Sequence, residues 1–268
     1  MTALAPCRIT LIGAATTLID IGPFRLLTDP VFDPPGGRYV LRALGLVPLV
    51  MTKTTAPAIS VERIGPLSAV LLSHDEHQDN LDTAGRALLG QVPATFTTPG
   101  GARRLGGSAR GLATWEQAEL RADDGTTLRI TATPARHGPP GSLPLVGAVT
   151  GFFLEWDGQR DGGLWVSGDT VRFRGLDEIG RRLRVHTALL HLGGARFALS
   201  GPVRYTMRAR HVARVAIAVG AKVVVPIHYE GWGHFSEPPA TARATLATGE
   251  LPCDVRWVLP GETIALDL

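Results

Sequence analysis

Ser73-His74-Asp75-Glu76-His77-Gln78-Asp79-Asn80-Leu81-Asp82 follows directly on the apolar run Ala69-Val70-Leu71-Leu72. Histidines, acids and an asparagine crowd this stretch. A buried strand gives a rigid anchor, and the loop after it lets several side chains converge on one point, as a metal site requires. Acidic loops with a stray histidine are common, so the remaining ligands have to come from other parts of the chain.

Upstream, residues 8–12, 16–21 and 24–27 are β-branched or aliphatic runs broken by Gly13 and Gly22-Pro23, and they read as short strands. The third ends in Thr28-Asp29-Pro30. Residues 31–66 are rich in Pro and Gly and read as an irregular excursion with a short helix over 39–44, a segment of the kind that walls pockets. Downstream, 82–89 is helix-like with an acid at its start. Residues 94–98 read as a strand and 100–105 as a helical turn. Strands are expected over 128–133, 146–156, 163–166, 187–192, 222–226, 255–259 and 263–266, with helices over 207–219 and 239–247. This alternation predicts one α/β domain over 1–268, without repeats or an interdomain linker.

Composition narrows the class. The chain has 268 residues, 44% hydrophobic and 19% charged, with a formal net charge of +3. It is long enough to bury a core without help from disulfides or a structural metal. The sequence pI is near 9.2, but the basic residues are scattered, so no nucleic-acid partner is expected. Cys7 and Cys253 lie near opposite ends and read as reduced thiols. The start of the chain shows no basic region followed by an apolar one, and the longest apolar run, 43–51, is interrupted by Gly45 and Pro48. That is far short of the roughly 20 residues a membrane span needs. A cytoplasmic protein acting on a small molecule is expected, with a homo-oligomer left open.

Four of these strands end in a metal-ligating residue: the loop at 73–80, His137 after Pro134-Ala135-Arg136, Asp169 in Ser167-Gly168-Asp169-Thr170, and His228 in Pro226-Ile227-His228-Tyr229. Any one histidine is more often a hydrogen-bonded core residue. Four strand ends carrying His or Asp are hard to assign to chance, and imidazoles with carboxylates suit zinc and similar divalent ions.

At these segments the chain resembles the metallo-β-lactamase fold superfamily. Its marker is a strand followed by His-x-His-x-Asp-His, then a distant His, a bridging Asp and a final His. Ile12-Gly13 and Leu27-Thr28-Asp29-Pro30 are similar to the branch that includes ascorbate-phosphate lactonases and N-acyl-phosphatidylethanolamine phospholipases. The resemblance runs from about residue 8 to 234 and implies a four-layer αββα sandwich with the site at one edge, between the two sheets. The first loop departs from the marker: it reads His-x-x-His-x-Asp-Asn. Counted back from Asp79, Asp75 holds the first histidine's place; counted forward from Ser73, His74 does. Asn80 stands where the family has a histidine of the second metal position.

Carried over on this resemblance, His77 and His137, with His74 or Asp75, would hold one ion. Asp79 and His228, with Asn80 as a further candidate, would hold a second, with Asp169 between them. The implied cofactor is one or two divalent ions, zinc first, with manganese, magnesium or iron as alternatives. The implied activity is a metal-dependent hydrolase using a metal-bound hydroxide on an ester, lactone, amide or phosphodiester bond. His77, Asp79 and Asp169 are the expected catalytic residues, Asp79 also as the group that orients the water. Asp29 is expected either as a partner of a ligand histidine or as a turn residue before Pro30. His191 is a candidate facing the pocket, and Glu230, Trp232 and His234 are candidates for its wall. The altered first loop supports the competing reading, a metal- or ligand-binding protein on the same fold with little turnover.

Overall fold

The computed structural model describes residues 7–43, 47–197 and 200–268. The chain opens with an antiparallel meander, β1 (Cys7–Gly13), β2 (Thr16–Ile21) and β3 (Phe24–Thr28). Residues 38–43 and 47–52 then form a two-stranded hairpin, β4 (Arg38–Ala43) and β5 (Val47–Thr52). The helix expected over 39–44 is therefore a strand as far as Ala43, and Leu44 lies outside the described residues. Pro48, which would break a helix, is tolerated here opposite Arg42 in a ribbon that has only edges.

From β6 (Ala69–Leu71) the first sheet turns parallel. α1 (Thr83–Leu89) leads to β7 (Thr95–Thr97), and α2 (Pro99–Leu105) to β8 (Ala109–Gly111). The second sheet starts with β9 (Gln117–Arg121) and β10 (Thr127–Pro134). After the single turn α3 (Leu143–Val146) come β11 (Thr150–Trp156) and β12 (Gly163–Val166). Val146 thus closes a helical turn, and the strand expected from it begins only at Thr150. α4 (Gly175–Arg182), β13 (Val185–His191), α5 (Val212–Val219), β14 (Val223–Ile227), α6 (Pro239–Ala247) and β15 (Asp254–Val255) complete a parallel half. β16 (Thr263–Leu266) crosses back to pair with β1. Among the described residues each main sheet has seven strands, ordered β16-β1-β2-β3-β6-β7-β8 and β15-β14-β13-β12-β11-β10-β9.

The period-two alternation of the strands sorts neighbouring side chains to opposite faces. Leu26, Leu71, Phe152, Leu164, Leu189 and Val225 meet between the sheets. Their neighbours Phe153, Trp165, Leu190 and Val224 face outward against Leu176 and Ile179 of α4 and Val212, Val215 and Val219 of α5. Leu27 and Val70 do the same on the first sheet, against Leu88 and Leu89 of α1. The result is the expected αββα sandwich. Each fully buried Leu or Phe contributes roughly 1.5–3 kcal/mol to this core. Cys7 and Cys253 are free thiols, and burial, with Asp20 adding to it, pushes Cys7 up to about 12. Among the described residues no helix is long and apolar enough to cross a membrane.

β3, β6, β12, β13 and β14 run so that the segments after them, with the one after β10, share an edge of the sandwich, where open α/β sheets place their ligands. A backbone bond from Thr150 N to Ser73 O (3.1 Å) ties the two sheets there. Gly168 is required at this seam: its φ is +60°, and a Cβ would sit 2.5 Å from Thr150 O and 3.1 Å from Ser73 Cβ.

Candidate metal centre

The loop after β6 closes into a turn, with Asn80 N and Leu81 N both donating to His77 O (3.2 and 2.9 Å). Asp82 then caps α1 through Gly85 N (2.8 Å). The same carboxylate accepts from Asp33 N (2.6 Å) and from the buried Lys53 Nζ (3.1 Å), which fixes the loop's far end.

Within this frame His77 Nδ1 lies 3.0 Å from His74 Nε2 and 3.0 Å from His137 Nε2. Outer contacts decide which nitrogens face inward. His74 Nδ1 is 2.9 Å from Ser73 Oγ, and His137 Nδ1 is 2.9 Å from the Tyr205 carbonyl oxygen. Burial, with the neighbouring imidazoles, depresses all three: His77 to about 4, His137 to about 3, and His74 well below the ordinary range. Three imidazoles held neutral, with their ring nitrogens turned to one point, are the form in which histidine ligates a metal.

A second cluster adjoins the first. His228 Nε2 lies 3.3 Å from Asp79 Oδ2, and His228 Nδ1 lies 3.4 Å from Asp169 Oδ1. Asp169 Oδ2 reaches to 4.0 Å from His137 Nε2, so this carboxylate stands between the clusters. Burial opposes ionisation of Asp79, but His234 and His228 outweigh it and hold the carboxyl well below the usual range. At Asp169 burial wins, aided by Asp79 and Asp29 against His228, and pushes it up to about 7. His228 takes a left-handed backbone (φ 57°), held by its N–H to the carbonyl of Ala14, itself at φ 49°. Such strain costs about 1–3 kcal/mol per residue and persists where the surroundings impose it.

The donor set fits a divalent cation. Asp79 Oδ1, both oxygens of Asp169, both ring nitrogens of His228 and Asn80 Oδ1 are buried with no hydrogen-bond partner. Unpaired buried oxygen and nitrogen atoms are costly, and so many in one pit call for an ion.

The remaining candidates divide. Asp75 turns away from the cluster to Arg104 of α2, whose Nε donates to its Oδ2 (2.9 Å), so of the two alternatives His74 joins His77 and His137. Asn80 Nδ2 points towards Asp29 Oδ2 (3.4 Å) and Ser73 Oγ (3.5 Å). Asp29 (φ 34°) accepts from Ser73 N (2.7 Å) and lies 3.3 Å from His191 Nε2; it supports the loop and touches no histidine of either cluster. His191 is wholly buried beneath the site, with Nδ1 3.2 Å from Ser167 Oγ. Glu230 makes no hydrogen bond or ion pair with either cluster among the described residues, and burial raises its carboxyl against the pull of Arg243. Trp232 packs on Tyr39 (centroids 5.4 Å apart) and near His234 (6.1 Å), and His234 reaches Asp79. Ser73, Ser167 and Tyr205 escaped the sequence reading, since contacts through a carbonyl or a lone hydroxyl leave no residue-type signal.

The Asp75 geometry makes a prediction. Asp75→Asn should leave the bound metal unchanged by elemental analysis and lower stability by about 1 kcal/mol, because Arg104 is half exposed and screened. Loss of an equivalent of metal would return Asp75 to the ligand set.

Comparison with known proteins bears on the fold and the class of protein. A profile described as Beta-lactamase superfamily domain matches residues 24–229. A metal-dependent hydrolase of Deinococcus radiodurans is 29% identical over 266 residues, spanning 97% of this chain and 99% of that protein. One from Pelotomaculum thermopropionicum is 28% identical over 206 residues, 74% of this chain and 82% of its own length. The solved isothiocyanate hydrolase from Delia radicum gut bacteria shares the fold with a TM-score of 0.79 at 20% identity, covering 97% of this chain and all (100%) of that one.

Proposed function

The chain belongs to the beta-lactamase superfamily, and on that premise we propose that it is a metal-dependent hydrolase cleaving an ester, lactone, amide or phosphodiester bond of a small molecule. One observation carries the reading: two adjoining buried clusters, His74/His77/His137 and Asp79/Asp169/His228, each with its ligand atoms within 4.8 Å of one another. The first would hold one ion and the second another, with Asp169 shared. Imidazole and carboxylate donors favour zinc, and manganese, magnesium or iron would also be accepted. A bound divalent ion supplies a Lewis acid for the substrate's oxygen and lowers the pKa of water at the site.

The protein's own groups do the rest. Asp79, held ionised, has Oδ1 free to accept a hydrogen bond from the attacking water and orient it. The six clustered side chains are each at most 5% exposed, which keeps bulk water away and strengthens every charge interaction among them. Beside them Val31, Met51, Phe197, Tyr205 and Trp232 form an apolar cluster, and Tyr205 lies edge-on to His137. That wall supports a substrate with an apolar portion next to the cleaved bond. The two free thiols support a reducing compartment such as the cytoplasm.

Protein purified from metal-replete medium is expected to carry one to two equivalents of a divalent metal and to hydrolyse members of a panel of esters, lactones, amides and phosphodiesters. Chelation should abolish the activity and re-addition restore it. Protein without metal overturns the proposal. Metal-loaded protein that cleaves nothing in the panel favours the binding-protein reading.

A further inference from the structure

Asn80 brings no imidazole to the second cluster, yet one reaches the Asp79 carboxylate from a different loop. His234 is 8% exposed, and its Nε2 lies 3.0 Å from Asp79 Oδ2, the oxygen that His228 Nε2 approaches to 3.3 Å. Donor atoms sharing one ion at bonds of about 2.1 Å stand roughly 3.0–3.4 Å apart. Asp79 Oδ2 thus has each imidazole at a distance that donors to one ion keep and that an N–H···O hydrogen bond also spans.

The loop that presents His234 is built to hold it. Gly233 N donates to Thr52 O (2.9 Å), and Arg196 N donates to the His234 carbonyl (3.0 Å). The ring stacks on Phe197 with centroids 5.5 Å apart and planes within 3°. Asn80, by contrast, turns its amide nitrogen to Asp29 and Ser73, and an amide oxygen is a weaker zinc donor than imidazole.

We infer that His234 is a ligand of the second metal position, taking the part that Asn80 does not, so that this position draws on Asp79, Asp169, His228 and His234. The inference rests on the metal-centre reading above. It joins β5, through Thr52, to the metal centre, because the hairpin helps to fix the ligand's loop.

Metal-free parent protein, His234→Ala and His234→Gln are titrated with cobalt(II) by calorimetry, and the loaded forms are followed by proton NMR. The parent should take two equivalents. Both variants should keep the first at parental affinity, which also reports that they are folded. They should bind the second at least about tenfold more weakly, and lose one of the exchangeable imidazole N–H signals shifted by cobalt. Two equivalents at parental affinity in both variants overturn the inference. So does a weakened second equivalent with every shifted N–H signal retained, since His234 would then act only through Asp79. A parent that takes one equivalent also overturns it. A parent that takes none removes the metal-centre reading itself, and this inference with it.

Discussion

Replacing His77 with alanine is expected to remove at least one equivalent of metal and to lower hydrolysis by more than about 100-fold. The lower bound follows from what outer partners of metal ligands are worth, about 10–100-fold when mutated. On the proposed reading His77 is a ligand and not an outer partner. Its Nδ1 lies 3.0 Å from both His74 Nε2 and His137 Nε2, so it is the nitrogen that joins the first cluster. The effect should be on the site and not on the fold, because the sandwich core is formed by side chains such as Leu26, Leu71, Phe152 and Val225 that do not reach the loop. Circular dichroism of His77→Ala should therefore match the parent while elemental analysis shows the loss. If His77→Ala keeps its metal and rate, the three-histidine cluster is not the catalytic centre. The control is His186→Ala: it removes an imidazole bonded to Thr187, outside both clusters, and should keep its metal.

How much of this was legible beforehand depends on where the information sits. The strand ends were readable because apolar runs terminate in chemistry-bearing residues, and β6, β10, β12 and β14 each deliver theirs to one edge. The choice between His74 and Asp75 was not readable. Asp75 is turned away by Arg104, 29 residues on and in α2, and nothing local encodes that pairing. The β4–β5 hairpin was hidden by Pro and Gly that read as irregular chain; its pairing is a property of two segments together, not of either alone. His228 and Ala14 show the same limit in the backbone: each is a non-glycine residue at positive φ, which propensity argues against and a hydrogen bond between them compensates.

Gly85→Ala is expected to destabilise the protein by about 3 kcal/mol, lowering the thermal midpoint by roughly 6–12 °C for a chain of this size. Helix propensity alone argues the opposite sign, since alanine in place of a helical glycine usually gains about 0.5–1 kcal/mol. Packing decides. A Cβ at Gly85 would stand 1.8 Å from Pro30 O and 2.7 Å from Pro30 C, contacts with backbone that no rotamer can relieve. Nor can Pro30 easily retreat. The preceding Asp29 donates its N–H to Leu71 O (3.1 Å), accepts from Thr16 Oγ1 at its carbonyl (2.6 Å), and holds Ser73 N with its carboxylate (2.7 Å). Any shift that makes room for the methyl group pulls on Asp29, and through it on Ser73, which orients His74. A residual loss of metal affinity should therefore accompany the loss of stability. Gly90→Ala, at the other end of the same helix, is the matched control. Its φ is −66° and the new Cβ would meet only Ala87 O at 3.6 Å, so the change should be neutral or slightly stabilising. Thermal unfolding of the two variants side by side checks the argument. A Gly85→Ala protein as stable as the parent would mean that α1 does not press on the Asp29–Pro30 turn, and that the ligand loop is positioned some other way.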